Sequence, residues 1–145
     1  MEKIKSDREK YADFCIARYE NKKSPRVSKK TRLERLMREF DLITRYPDIT
    51  SVSITGSTIT IRTKDIYTKR GGYNFGLYDI KISKSPTKSK IRLLSRRTTN
   101  LQHHNVSHYG VACFGNMRST VAKLARQYEF APLILLLIEY LKTPN

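Results

Sequence analysis

The chain has 145 residues, and 29 Lys and Arg against 13 Asp and Glu give a net charge of +16 and a pI of about 10.1. That length bounds it to one domain with room for an arm, and 39% apolar and 10% aromatic residues are enough to build a core. Six Gly and five Pro exclude a collagen-like or low-complexity chain, and the longest apolar run, Leu133 to Ile138, is six residues against the roughly 20 that span a bilayer.

The first ten residues, MEKIKSDREK, hold no apolar signal region, so a cytoplasmic protein without membrane contact is expected. Ser6 with Glu9 reads as a capping box, and Tyr11, Phe14, Cys15, Arg18 and Tyr19 recur at helical spacing, which predicts a helix over roughly residues 6–20. Pro25 and two serines mark NKKSPRVSKKTR as a basic linker holding Lys22, Lys23, Arg26, Lys29, Lys30 and Arg32. Thr31 with Glu34 is a second capping box. Leu33, Leu36, Met37, Phe40 and Ile43 then line one helical face until Tyr46-Pro47 stops it. Residues Ile49 to Thr55 and Thr58 to Thr63 alternate apolar and polar around Gly56-Ser57, the pattern of an antiparallel hairpin with one buried face. After the Arg70-Gly71-Gly72 turn, a third strand is expected over Tyr73 to Ile82 with an irregularity at Gly76, and a short fourth over Lys90 to Ser95.

Residues 95–116 have no clear period and are too long for a simple connector. Beyond them Ser119 can cap one helix, and Pro132 can open another whose residues are almost all apolar and which should be largely buried. Strands in one run with helices on either side indicate an α+β domain, a four-stranded antiparallel meander with flanking helices. The organisation expected is an N-terminal helix and basic linker over 1–30 and the α+β domain over 31–145.

Charge is uneven. No acid lies between Asp79 and Glu129, yet Lys81, Lys84, Lys88, Lys90, Arg92, Arg96, Arg97 and Arg118 all fall there. Sharing a face, they would form a basic patch that attracts nucleic acid or an acidic protein surface at rates that fall with salt. Tyr73, Phe75 and Tyr109 are near enough in sequence to stack on bases, although aromatics at strand spacing also serve as core.

All three histidines, His103, His104 and His108, lie within eleven residues of one another and of Cys113. Two lone cysteines give no disulfide framework and suit a reducing compartment. His104 and His108 have an acceptable spacing for zinc, but a structural site needs four ligands, so no metal and no cofactor is assigned. Cys113 reads either as a nucleophile, its thiolate favoured by nearby Arg and His, or as a small buried hydrophobe between Ala112 and Phe114.

The stretch His103-His104-Asn105-Val106-Ser107-His108-Tyr109-Gly110-Val111-Ala112-Cys113 resembles the active-site stretch of ubiquitin-conjugating enzymes, with His104 where that family has Pro. There, His-Pro-Asn is followed by polar residues, a Gly and the catalytic Cys. The elements around it run in the same order, and Cys113-Phe114-Gly115-Asn116 with the ending Tyr140 to Asn145 look closer to divergent bacterial and phage relatives. The resemblance implies that Cys113 forms a thioester with a small protein modifier received from an activating enzyme. It further implies that Asn105 steadies the oxyanion, that His103 is a structural residue bonding backbone, and that Gly110 permits the turn joining Asn105 to Cys113. The other reading is non-catalytic: the same fold as a binding module whose basic face takes nucleic acid or an acidic protein.

Overall fold

A computed structural model describes residues 4–20, 28–84, 90–96, 103–107 and 109–144. The expected site residues Lys88, Arg97 and His108, and the linker's Lys22, Lys23 and Arg26, lie outside the described residues. Three helices come first: α1 (Asp7–Cys15), α2 (Ala17–Glu20) and α3 (Lys29–Thr44). α1 opens as its capping box dictates, with Ser6 Oγ accepting from the Glu9 N–H at 3.3 Å and the Glu9 carboxylate accepting from the Ser6 N–H. The predicted single helix of residues 6–20 is interrupted at Ile16, after which α2 adds one turn.

α3 begins earlier than the Thr31–Glu34 signal implied. Ser28 is the cap, its hydroxyl accepting from the Thr31 N–H at 3.2 Å, because it stands three residues before a free first-turn donor. Leu36, Phe40 and Ile43 are the buried stripe of that helix.

The main sheet is antiparallel and consists of β1 (Ile49–Thr55), β2 (Thr58–Thr63), β5 (Tyr78–Ser83) and β6 (Lys90–Ser95), in that spatial order. Its inner face is aliphatic, from Val52, Ile54, Ile59, Ile61, Ile80, Ile82 and Leu93. The predicted third strand divides in two. β3 (Ile66–Tyr67) and β4 (Asn74–Gly76) form a separate ribbon, and β5 starts only at Tyr78. The break has a local cause. Gly76 adopts a φ of +83°, and its N–H donates to the Asn74 Oδ1 at 2.7 Å. The Tyr78 N–H then donates to the buried Thr63 hydroxyl at 3.0 Å.

A 3₁₀ turn (Gly115–Met117) leads into α4 (Arg118–Arg126), so Ser119 lies inside the helix rather than capping it. α5 (Phe130–Lys142) begins two residues before Pro132, which occupies the first turn, where a missing N–H costs nothing. Seven of its residues, including Leu133, Ile134, Leu137, Ile138 and Leu141, are buried. Among the described residues, no helix is long and apolar enough to cross a membrane.

The N-terminal helix belongs to this core: Tyr11, Ala12, Phe14 and Cys15 are buried in the same cluster as the sheet residues. Burial pushes the Cys15 thiol up to about 12. A polar network locks the helices together. The Arg18 guanidinium lies 3.1 Å from both the Glu39 and the Glu129 carboxylates, and the Tyr11 hydroxyl donates to Glu39 at 2.6 Å. Breaking such a pair leaves carboxylates without their cation, a loss of several kcal/mol when fully buried and less here, where the side chains keep 10–24% exposure. Arg18→Met is therefore expected to lower the unfolding free energy by about 2 kcal/mol in urea melts; a loss under about 0.5 kcal/mol would reduce the network to solvated surface pairs.

Candidate functional site

Within the irregular segment, the described residues on either side of Gly110 pair as a small hairpin. Asn105, Val106 and Ser107 stand opposite Cys113, Ala112 and Val111: the Cys113 N–H donates to the Asn105 carbonyl at 2.8 Å, Val106 and Ala112 form a β-bridge, and the Ser107 N–H donates to the Val111 carbonyl at 2.8 Å. Its turn is closed by the Gly110 N–H on the Ser107 carbonyl, 2.9 Å. Opposed residues in an antiparallel pair project to the same side, about 5 Å apart at Cα. Asn105 and Cys113, eight positions apart in sequence, are thereby neighbours at the hairpin neck.

Gly110 anchors this turn to the sheet. Its carbonyl accepts from the Leu93 N–H at 2.8 Å, and its φ is +81°. A Cβ there would sit 2.7 Å from the Leu94 side chain and 3.2 Å from Leu93 backbone, so only glycine allows the approach.

The other end of the hairpin is held by α5. The Tyr140 hydroxyl lies 3.2 Å from the Asn105 carbonyl and 2.8 Å from the Cys113 carbonyl, donating to both. Burial, with the neighbouring Cys113, pushes its phenol up to about 12, so it remains a donor throughout the physiological range. His103 is 1% exposed. Its Nδ1 accepts from the Asn105 N–H at 3.1 Å, which requires the proton on Nε2, and Nε2 donates to the Tyr140 carbonyl at 3.1 Å. The ring stacks on Tyr140, centroids 4.8 Å apart, and meets Phe75 at 5.7 Å. Burial lowers the His103 pKa, the Tyr140 carbonyl opposes that shift, and His104 adds to it.

Cys113 is exposed, so its reading as a buried hydrophobe does not hold. With Asn105 it borders a groove of about 420 Å³ walled by Phe114, Met117, Leu136, Glu139, Tyr140 and Thr143. Four of those walls come from α5 and its C-terminal edge, and nothing in the apolar periodicity of that helix pointed to a site. The one sequence signal was a Glu-Tyr pair at the end of an otherwise aliphatic helix. His104 is exposed. Among the described residues no group of His, Cys, Asp and Glu is placed to hold a metal ion.

The expected basic face comes together only in part. Lys81, Lys90 and Arg92 project from the outer face of the sheet, and Arg96 reaches toward Asp79 beside them, 4.0 Å away. Lys84 does not join them. It turns toward α1, where Nζ donates to the Phe14 carbonyl at 2.9 Å and lies 4.9 Å from the centre of the Tyr128 ring. Arg118 is exposed on α4, outside the rows of the sheet. Phe75 is core against His103, which removes it from base stacking, whereas Tyr73 and Tyr109 are exposed.

Comparison with protein-family models, with curated proteins and with solved structures finds no match for this chain.

Because the folded chain disfavours protonated His103, the unfolded chain takes up a proton first as pH falls. The stability this residue contributes is present above its ordinary pKa of 6.5 and is lost as pH drops below that value. The melting temperature is thus expected to fall more steeply between pH 7 and 5 in the natural chain than in His103→Gln, which keeps a donor and an acceptor but cannot titrate. Parallel pH profiles in thermal melts would remove His103 as the source.

Proposed function

We propose that this chain has a ubiquitin-conjugating-like fold and carries a small protein modifier as a thioester on Cys113. The observation that carries the reading is the pairing at the hairpin neck: the backbone of Cys113, whose thiol is exposed, bonds to that of Asn105, and both residues border one groove. The order of elements supports it, with a helix, a four-strand meander, the His/Asn/Cys loop and closing helices following the sequence of that family.

The chemistry is two acyl transfers. The Cys113 thiolate attacks the thioester carbonyl joining the modifier's C-terminus to a cysteine of the activating enzyme; a new S–C bond forms and the donor thiolate leaves. A neutral substrate amine then attacks the carbonyl on Cys113. The amide N–C bond forms, the Cys113 S–C bond breaks, and the amine's extra proton passes to solvent. When the amine attacks, the carbonyl oxygen becomes an oxyanion, and a side-chain amide N–H of Asn105 is the donor suited to it. His103 and Tyr140 act indirectly: they fix the backbone of residues 105 and 113, so the neck does not reorganise as charge develops. The groove, apolar at Phe114, Met117 and Leu136, is where the modifier's C-terminal tail would lie.

The test is loading from a synthetic glycine-ended peptide thioester, followed by discharge to free lysine. Loading is expected as a thiol-sensitive adduct that maps to Cys113 and is absent in Cys113→Ala, while buried Cys15 stays unlabelled. Asn105→Ala is expected to load normally but discharge about 10²–10³-fold more slowly, the usual loss for one oxyanion donor. A thiol that reacts only after unfolding, or discharge indifferent to Asn105, would remove the carrier reading.

A further inference from the structure

The outer face of the main sheet carries a built pattern of charge that the Cys113 site does not use. Side chains of paired residues share a face, so the register defines its rows: Ser53–Thr60–Lys81–Arg92 across the middle, Thr55–Thr58–Ser83–Lys90 toward one end, and Ser51–Arg62–Asp79–Leu94 toward the other. The cations Arg62, Lys81, Lys90 and Arg92 are exposed. Asp79 is the one acid in these rows, and it is already flanked by Arg62 at 3.7 Å and Arg96 at 4.0 Å. Lys81, Lys90 and Arg92 have no acidic partner among the described residues.

What this face lacks is as informative as what it holds. Its rows contain no aromatic ring, and their single apolar side chain, Leu94, lies under Gly110 of the hairpin. Specific protein partners are anchored by apolar and aromatic side chains in pockets, and single-stranded nucleic acids by rings that stack on their bases. Neither device is present among the described residues of these rows. Cations interspersed with hydroxyls are the groups that contact phosphate oxygens without reading sequence. Lys81 and Arg92 are directly paired, and Lys90 lies two residues from Arg92, which places the Cα atoms of the three about 5–8 Å apart. A duplex, with one phosphate per 1.7 Å of axis, presents the densest row of phosphates to such a cluster.

We infer that the outer sheet face is a docking surface for double-stranded nucleic acid, bound through its phosphates and without sequence preference, with Lys81, Lys90 and Arg92 as the principal contacts. This does not depend on the chemistry proposed for Cys113.

The experiment is fluorescence anisotropy of the full chain with a mixed-sequence 20-bp DNA duplex between 50 and 200 mM KCl. Each phosphate contact contributes about 0.9 to the slope of log K against log salt. Lys81→Gln/Lys90→Gln/Arg92→Gln is expected to flatten that slope by about 2.7. The matched variant Arg35→Gln/Arg38→Gln/Arg45→Gln removes equal charge from exposed positions on α3 and at its C-cap and is expected to change it by less than about 1. Lys81→Arg/Lys90→Arg keeps the charge and is expected to retain the natural slope, which separates charge from folding. Equal flattening by the sheet and α3 variants would overturn the assignment, leaving only a diffuse field. Tighter binding of a 20-nucleotide single strand, or of polyglutamate, than of the duplex at equal salt would overturn the choice of partner.

Discussion

Burial of α5 is the constraint on which the site depends. Leu133, Ile134, Leu137, Ile138 and Leu141 are fully buried. At about 1.5–3 kcal/mol per side chain, their transfer from water amounts to roughly 10 kcal/mol before chain entropy is counted. The hydrogen bonds that define the Cys113 hairpin are worth about 0.5–1.5 kcal/mol each in net terms. The helix therefore sets its own position and the hairpin conforms to it. Because the helix ends in Tyr140, its last turn presents three groups to the loop: a carbonyl for His103, a hydroxyl for the backbone of residues 105 and 113, and a ring on which His103 stacks.

The same economy governs the charges. Asp13, Asp41 and Asp48 pair with Lys5, Arg8 and Lys142, Glu39 and Glu129 share Arg18, and Glu139 meets Lys69. The few acids are thus engaged where helices meet one another or the loops around them. Surplus cations without an acidic partner among the described residues include Lys81, Lys90 and Arg92 on the outer sheet face. Their mutual repulsion costs stability, which the aliphatic core offsets. A field of this kind favours polyanions at long range and weakens with salt.

Much of the fold was legible because its signals are periodic. The alternation of Val52 and Ile54 against Ile59 and Ile61 defined the first hairpin to the residue, and Ser6 with Glu9 marked the first helix start. The misses arise where a single polar side chain replaces a regular pattern. The Thr63 hydroxyl takes the Tyr78 N–H, and Asn74 takes that of Gly76, so one apparent strand becomes two elements in different sheets. The Cys113 hairpin has no period to read, because its few pairs are held by backbone bonds and a glycine. Lys84 looked like its basic neighbours in sequence, yet a residue just past the end of β5 is free to turn back toward α1. Tyr140 was legible as core and illegible as a clamp, since the burial of its ring and the direction of its hydroxyl are set by different partners.

β6 joins the two surfaces. Leu93 packs inward into the core, its N–H holds the Gly110 carbonyl, and its neighbours Arg92 and Leu94 face outward, one carrying charge and the other supporting the hairpin turn. Substitutions of outward charges at Lys90 and Arg92 alter the field while leaving the hairpin's backbone contacts in place. A change at Leu94 or Gly110 alters the turn, and through the pairing of residues 105 to 107 with 111 to 113 it shifts the relation of Asn105 to Cys113. The thiol chemistry and the polyanion docking proposed above are therefore separable by mutation even though one strand underlies both surfaces. Their separability follows from alternation along the strand, which sends adjacent side chains to opposite faces.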